Sequence, residues 1–474
     1  MGGLAHLDTK KRLLSATPLA PELQPIIGTF RSERGPTSWI GSPTLSPAGP
    51  ESGSMRTQGR SATTVSVLPA EALVDEVPEI VVSGVTPGTE VRIDVSQLDA
   101  NQERWSSWAV FKADVNGVAS TKDVAIAGTY EGADETGVFW SMQPTAEGTM
   151  YGSPADRITS LVEASVDGDT VGSVESQRLI ARPGLHRTDV DANGIRGVLF
   201  EPPEPHGIAV IAVQGSGGGI NEGESALLAS HGFTALALSY FNYPGQPSTL
   251  SEIPLEYFEA AGRWLLARPT VRAERCALIG QSRGGELVLL LAATYPSLFG
   301  PVVATSPSSQ VWVGMKPAAG AWSFEGRPVP FMDTAKPPAP LKDQTPPIPL
   351  TPLFERAMTN EEQVASTAIP IERADCPILM LSGADDAMWP SADFAKRVMA
   401  RLAEHGYRRT YRHETFAQAG HTLSGIPNIP VVTHSLHPVA HLDFAYGGTP
   451  TGIARARREA WRLRLQFLGE ATTR

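Results

Sequence analysis

The chain has 474 residues and a formal net charge of −11, so its acidic balance argues against nucleic acid as the main partner and against attraction to anionic membranes. Hydrophobic residues make up 41% and charged residues 19%, which is enough apolar material for a large core without a metal or disulfide staple. A chain of this length predicts two folded domains.

Two features bear on the cellular compartment. Cys276 and Cys376 each lie in an apolar run, which predicts buried thiols in a reducing compartment rather than a disulfide. No apolar stretch is long enough to cross a bilayer, and the N-terminal apolar positions are broken by Pro and charge, which makes a poor secretory signal. We therefore expect a cytoplasmic protein without a membrane span.

The N-terminal part of the chain changes character near residue 65. Residues 1–65 are rich in Pro, Gly, Ser and Thr with little periodicity, which predicts a disordered extension. Residues 66–185 contain short β-type runs, such as EIVVSGV, TEVRIDVSQL and WAVFKADV, separated by turn signals such as TPGTE and DVNG. Regularly spaced short strands are typical of an all-β sandwich, so we expect an immunoglobulin-like sandwich domain here.

Residues 186–474 alternate between apolar strands and helices. The runs GIAVIAV, FTALALSYF, CALIG and PILMLSG read as buried strands, and PLEYFEAAGRWLLARP, ELVLLLAATYP and SADFAKRVMARLAEHG read as helices. This alternation predicts an α/β domain with a parallel sheet covered on both faces. Residues 306–368 form a Pro-rich insertion, which we expect to act as a lid or to face the substrate.

The sequence Gly280-Gln281-Ser282-Arg283-Gly284 matches the GxSxG pattern. It follows the strand CALI and precedes the helix ELVLLLAATY, which is the context in which α/β-hydrolases expose a nucleophilic serine on a sharp turn. The alternative is a Gly-rich turn with an incidental serine. With strand and helix both in place, the pattern favours Ser282 as a nucleophile.

A serine hydroxyl needs a base, which needs an orienting acid. His421 lies in a loop after the last apolar strand, and the chain order of nucleophile, acid and base favours it over His405 and His413. The acid is expected at the end of the strand PILMLSG, where Asp385 and Asp386 are adjacent. We choose Asp386 and keep Asp385 as its competitor; both could instead cap the next helix.

The glycine run 214–219 is a candidate for the oxyanion hole, which needs backbone N–H groups close to the reacting carbonyl. We expect one N–H from Arg283 and another from Ser216 or Gly217. A P-loop is excluded because no GK[ST] follows, and the spacing is not that of a dinucleotide-binding turn.

Three histidines, His434, His437 and His441, lie close together and resemble a metal-binding cluster. Pro438 would break a helix that aligned them, and no cysteine is near, so the sequence predicts no metal site.

These segments together resemble the acyl-CoA thioesterase and bile acid-CoA:amino acid N-acyltransferase family from about residue 71 onwards. The resemblance is carried by VDEVPEIVVSGVTPGTEV, WAVFKADVNG, GSGGGINEGESALLASHGFTALALSYF, IGQSRGGELVLLLA, PILMLSGADDAMWPS and GGTPTGIARARREAW. It implies an α/β-hydrolase domain behind a β-sandwich, an acyl-CoA thioester as substrate, CoA only as part of that substrate, and a triad of Ser282, Asp386 and His421.

Members of that family that conjugate amino acids commonly have cysteine at the nucleophile position, whereas its thioesterases have serine. Ser282 therefore favours hydrolysis, with acyl transfer to an amine or alcohol as the alternative. Two further hypotheses are an esterase and a catalytically inactive binding module. The sequence does not indicate an oligomeric state. The chain departs from the family in HTLSGIP after the base and in the Pro-rich stretch 306–350. Both are expected to border the acyl pocket.

Overall fold

The computed structural model describes residues 62–146, 148–316 and 319–472. Of the predicted disordered extension 1–65, residues 1–61 lie outside the described residues. Cys276 and Cys376 are buried free thiols, as expected. Among the described residues, no helix combines the length and the apolar character that crossing a membrane requires.

The N-terminal part consists mainly of short strands. In chain order they are β1 (Thr64–Leu68), β2 (Glu71–Leu73), β3 (Glu79–Ser83), β4 (Glu90–Leu98), β5 (Arg104–Lys112), β6 (Val118–Ser120), β7 (Val124–Ala125), β8 (Ala127–Gly128), β9 (Gly132–Ala133), the helical turn α1 (Gly137–Trp140), β10 (Gln143–Pro144), β11 (Arg157–Val166) and β12 (Asp169–Leu179).

These strands form a sandwich. One sheet has the order β1-β3-β6, and the other has the order β10-β5-β4-β11-β12-β2 with β8 added to β5. Along β4, β5 and most of β11, buried positions alternate with more exposed ones, as expected for strands with one face in a core. Inward residues of both sheets, such as Ile80 and Val91, belong to one hydrophobic core.

The remaining strands begin with β13 (His186–Ala192), β14 (Ile195–Glu201), β15 (Ala209–Val213), β16 (Thr234–Ser239), β17 (Ile253–Pro254), β18 (Cys276–Gln281), β19 (Phe299–Thr305), β20 (Trp322–Phe324) and β21 (Arg327–Pro328). They end with β22 (Ile378–Gly383), β23 (Tyr411–Phe416), β24 (His434–Leu436) and β25 (Asp443–Ala445).

The helices that accompany these strands are α2 (Glu222–Ser230), α3 (Leu255–Leu266), α4 (Arg283–Thr294), α5 (Thr351–Ala357), α6 (Glu361–Thr367), α7 (Ser391–Glu404) and α8 (Pro450–Thr472). Two short 3-10 turns lie at Leu341–Asp343 and Ile371–Arg373.

An eight-stranded sheet with the order β13-β14-β16-β15-β18-β19-β22-β23 organises this part. Strand β14 is antiparallel to both neighbours, and all pairs from β16 to β23 are parallel. Strands β15, β16, β19 and β22 are buried along their whole length, because helices cover both faces. The predicted fold class, an α/β-hydrolase domain preceded by a β domain, is confirmed.

Three strands of this sheet were not predicted from the sequence. Strands β13 and β23 lie at its two edges, and their charged, largely exposed residues lack the apolar run that marks a buried strand. Strand β19 is fully buried, but Gly300-Pro301 near its start resembles a turn signal. Hydrophobic pattern therefore identified the centre of the sheet better than its edges.

Buried polar contacts join the sandwich to the catalytic part. The Arg178 guanidinium on β12 donates to the Asn428 carbonyl at 2.5 Å, and the Asn428 amide donates to the Val74 carbonyl at 3.0 Å. Asp75 accepts from Trp461 Nε1 of α8 at 2.9 Å and lies 2.7 Å from His231 Nε2 at the end of α2. These contacts fix the sandwich against two helices of the other domain.

Replacing Asp75 by alanine should lower the free energy of unfolding by about 1–3 kcal/mol, because Trp461 and His231 both lose their acceptor in a largely buried place. The matched control is Asp94→Ala, which removes an exposed pair with Arg92 and should change stability by less than about 0.5 kcal/mol. Urea unfolding curves measure both; equal effects of the two variants would contradict the importance of this junction.

Candidate active site

Ser282 occupies a sharp turn between β18 and α4. Its backbone has φ +59° and ψ −123°, a conformation that non-glycine residues adopt only under local constraint. A Cβ on Gly284 would lie 2.6 Å from the Gln214 carbonyl oxygen, and a Cβ on Gly280 would collide with the Gly284 carbonyl. The two glycines of GxSxG are therefore required by close backbone packing around the serine.

His421 and Asp386 form a buried pair. The His421 Nδ1 atom lies 3.0 and 2.9 Å from the two Asp386 carboxylate oxygens, and the two residues are 4% and 8% exposed. Because Nδ1–H donates to the carboxylate, Nε2 of the neutral ring is left as an acceptor. The neighbouring Asp385 is exposed, so the structure brings Asp386, and not its competitor, to the histidine.

The Asp386 carboxylate is held by further hydrogen bonds. One oxygen accepts the backbone N–H groups of Met388 at 2.9 Å and Trp389 at 3.2 Å, and the other accepts the Ser391 hydroxyl at 2.6 Å. These donors fix the orientation of the carboxylate toward His421. The alternative, in which the aspartates only cap α7, does not describe Asp386, because its carboxylate contacts both Ser391 at the helix start and His421.

The backbone of His421 is anchored from three sides. Its N–H donates to the Tyr446 carbonyl at 2.8 Å, and its carbonyl accepts the Ser306 hydroxyl at 2.7 Å and the Gln281 amide at 3.3 Å. The ring meets Trp389 edge to face at 6.0 Å between centroids. Sequence reasoning missed these supports; only Gln281, inside the GxSxG match, carried a local signal.

The competing histidines lie elsewhere. His405 is exposed at the C-terminal end of α7, where its Nδ1 contacts the Arg401 carbonyl. His413 lies on β23 with its Nε2 2.7 Å from the Ser382 hydroxyl, and burial lowers the pKa of its imidazole. Neither lines the cavity that contains Ser282.

Ser282 and His421 line one cavity of about 650 Å³. No direct hydrogen bond joins the two side chains among the described residues; such contacts often tighten only around a substrate. The sandwich supplies part of the wall through Met150, Tyr151 and Pro154. Ser282 and His421 therefore both lie on the wall of one cavity, together with residues of the sandwich.

The insertion 306–368 does not have the predicted lid position. None of its described residues, 306–316 and 319–368, lines the cavity. Instead, Trp322 Nε1 donates to Glu286 of α4 at 2.7 Å, and the Arg283 guanidinium donates to the Trp312 carbonyl at 2.9 Å. The insertion therefore packs around the helix that follows Ser282, and the sandwich takes the place facing the cavity.

The glycine loop approaches the serine closely. Ser216 and Gly217 line the cavity, and a Cβ on Gly215 would lie 3.0 Å from the Ser282 Cβ. Arg283 is the first residue of α4, so its backbone N–H directly follows the serine, while its side chain is buried 3.2 Å from Glu286. This arrangement provides backbone N–H groups on two sides of Ser282.

Two family models match the chain. The acyl-CoA thioester hydrolase/BAAT N-terminal region matches residues 75–192, and BAAT / acyl-CoA thioester hydrolase C terminal matches residues 253–474. Human acyl-coenzyme A thioesterase 1 is 30% identical over 82% of this chain and 91% of its own length. The chain belongs to the acyl-CoA thioesterase and bile acid-CoA:amino acid N-acyltransferase family.

Other relatives carry both activities in their names. Human mitochondrial acyl-coenzyme A thioesterase 2 is 29% identical over 91% of this chain and 88% of its own length. Mouse acyl-coenzyme A amino acid N-acyltransferase 1 is 29% identical over 83% of this chain and 94% of its own length. This family member is therefore an enzyme of acyl thioester chemistry.

Of the three histidines His434, His437 and His441, only His437 lines the cavity that contains Ser282. His437 Nδ1 accepts the backbone N–H groups of Val439 and Ala440 at 3.2 and 3.0 Å. The proton of the neutral ring therefore lies on Nε2, which donates to the Ser216 hydroxyl at 2.9 Å. Among the described residues, no group of three or more His, Cys, Asp or Glu could hold a metal ion.

The stability of this enzyme should depend on pH through His437. Burial, helped by the charge of His441, lowers the pKa of the His437 imidazole to about 4. Below about pH 6.5 the imidazole is protonated in the unfolded chain but stays neutral in the folded protein down to about pH 4. The free energy of unfolding should therefore fall by on the order of 2 kcal/mol between pH 6.5 and 4. His437→Gln should remove this component, whereas the exposed control His405→Gln should keep it, as measured by urea unfolding at several pH values.

Replacing Gly284 by alanine should cost about 1–3 kcal/mol of stability and reduce activity, because the new methyl group meets backbone oxygens that cannot move aside. Gly469→Ala in α8 is the control, since among the described residues no atom outside its own stretch of helix lies within 4 Å of the Cβ that alanine would add. Thermal unfolding measures both variants, and wild-type stability in Gly284→Ala would refute the packing argument.

Proposed function

We propose that this enzyme is an acyl-CoA thioesterase that uses Ser282, His421 and Asp386 as a catalytic triad. The observation that carries the proposal is the buried His421–Asp386 pair, with Nδ1 2.9 Å from the carboxylate, in a cavity shared with Ser282. Membership of the family supports the acyl-CoA substrate, because its named relatives act on acyl-coenzyme A.

In the first half-reaction, Ser282 Oγ attacks the thioester carbonyl carbon while His421 Nε2 takes its proton. Backbone N–H groups of Arg283 and of Ser216 or Gly217 stabilise the oxyanion. The C–S bond then breaks, and His421 returns the proton to the CoA sulfur. The acyl group remains as an ester of Ser282.

In the second half-reaction, His421 takes a proton from water, whose oxygen attacks the acyl-enzyme carbonyl. Collapse of the intermediate releases the free acid and returns the proton to Ser282. Asp386 holds the ring and stabilises the imidazolium without taking the proton.

The alternative function is acyl transfer, in which an amine or alcohol replaces water. The similarity to an amino acid N-acyltransferase is the reason to test this alternative. The cytoplasmic location inferred from the sequence stays a prediction.

Ser282→Ala should lower kcat by roughly 10³-fold or more, because the acyl-enzyme cannot form. Release of free thiol from an acyl-CoA panel measures this, and Ser366→Ala, an exposed serine on α6, is the control. Mass spectrometry of the products with and without amino acids separates the two reactions. Free acid as the main product supports hydrolysis, and a dominant amide would overturn it.

Asp386→Asn should reduce kcat by roughly 10²–10⁴-fold, because the amide no longer selects the tautomer that leaves Nε2 as the base. The adjacent Asp385→Asn is the matched control and should remain within about twofold of wild type, since Asp385 is exposed. Equal losses of kcat in the two variants would contradict the assignment of Asp386 as the acid.

A further inference from the structure

Arg457 of α8 is a buried cation in the wall of the catalytic cavity. It is 7% exposed and lines the cavity together with Ser282 and His421. Its Nη2 donates to the Thr422 carbonyl at 3.3 Å, while its Nε is buried without a hydrogen-bond partner. Among the described residues, no carboxylate forms an ion pair with it.

The charges next to Arg457 do not neutralise it. Arg464, about two turns further along α8, pairs with Glu224 at 2.6 Å, so that carboxylate is already used. Burial and the charge of Arg464 lower the pKa of Arg457 to about 10, which still leaves the guanidinium protonated at neutral pH. The cavity wall thus contains one positive charge without a counter-ion.

Arg178 is a second buried arginine that, among the described residues, has no carboxylate partner, and its Nε also lacks a hydrogen bond, but other contacts hold its guanidinium. Its guanidinium donates to the Asn428 carbonyl and to Gln97 Oε1, and it stacks on the Phe139 ring at 4.1 Å. Arg457 has one long hydrogen bond instead of this set. An unpaired buried charge is costly to retain, and such groups are found where a ligand completes them.

A second polar atom at the same place has no partner. The Thr422 hydroxyl is buried and forms no hydrogen bond, although Thr422 lines the cavity and directly follows His421. The Arg457 Nε–H and the Thr422 hydroxyl both lack an acceptor, which matches a small anion that brings oxygen lone pairs. A single buried cation suits a carboxylate better than the several phosphate charges of CoA.

Resting on the proposed function, we propose that Arg457 binds a carboxylate of the substrate inside the catalytic cavity, beside the base. The carboxylate has two sources: the far end of a dicarboxylic acyl group, or an amino acid that accepts the acyl group. In the second case the amine would lie where His421 can take its proton as the nitrogen attacks the acyl-enzyme carbon. The Ser282 ester bond then breaks, and His421 returns that proton to Ser282 Oγ.

The first experiment measures binding without turnover, by calorimetry with Ser282→Ala. Succinyl-, adipoyl- and sebacoyl-CoA are compared with butyryl-, hexanoyl- and decanoyl-CoA, and glycine is compared with glycinamide in the presence of hexanoyl-CoA. At least one carboxylate-bearing ligand should bind tenfold or more tightly than the matched ligand that lacks the carboxylate. Ser282→Ala/Arg457→Met should lose that preference, and Ser282→Ala/Arg455→Met, an exposed arginine of the same helix, should keep it.

The second experiment repeats the comparison as kcat/KM with the Ser282 enzyme. Arg457→Met should lower kcat/KM tenfold or more for the carboxylate-bearing reactant and less than twofold for hexanoyl-CoA hydrolysis. A preference for a dicarboxylic thioester identifies the acyl end, and an amide product that depends on Arg457 identifies an amino acid. Equal losses on all thioesters, as expected if Arg457 held a CoA phosphate, would overturn the proposal, as would no loss.

The melting temperatures of Arg457 variants distinguish a structural role of this arginine from a role in binding a carboxylate. Removing an uncompensated buried charge should leave the melting temperature of Arg457→Met unchanged or higher. A large fall in melting temperature, with Arg457→Lys rescuing stability but no carboxylate preference in either protein, would show a structural arginine. Carboxylate binding without any thiol release from wild type would refute the proposed function while keeping the site.

Discussion

The strained backbone of Ser282 is the constraint around which the catalytic part is built. A residue at φ +59° between a buried strand and a helix is tolerated only if the surrounding backbone leaves no alternative. Gly284 presses against the loop after β15, and Gly215 of that loop faces the serine. Since β15 and β18 are parallel neighbours, their carboxyl ends meet at one edge of the sheet, which brings the glycine loop and the serine together.

The same edge collects the other polar groups. Asp386 follows β22 and His421 follows β23, the last two strands of the sheet, so their loops also arrive beside Ser282. Because these groups are buried, water cannot replace a lost hydrogen-bond partner, so the loss of any one of these hydrogen bonds is costly. His421 is held through its ring by Asp386 and through its backbone by Tyr446 and Ser306. These contacts fix the imidazole, which we propose as the base, before a substrate binds.

The β-sandwich contributes to the catalytic cavity as well as to stability. Its residues Met150, Tyr151 and Pro154 close one side, and Asp75 and Arg178 tie it to the helices and loops that carry the site. Ligand cavities commonly lie between domains, where two rigid walls can be shaped separately. An acyl group bound here would contact both domains, so a change in sandwich packing would alter the shape of the pocket without touching the triad.

The sequence by itself determined the features whose causes are local. Strand, glycine turn and helix around Ser282 follow from neighbouring residues, as do the long helices and the buried strands β15, β16, β18 and β22. Only the tertiary structure decided which of two adjacent aspartates faces His421, that the sandwich rather than the insertion lines the cavity, and that His437 reaches Ser216 from 221 residues away. Local periodicity and turn chemistry act over a few residues, whereas these contacts depend on strand order and on loops that meet only after the sheet has formed.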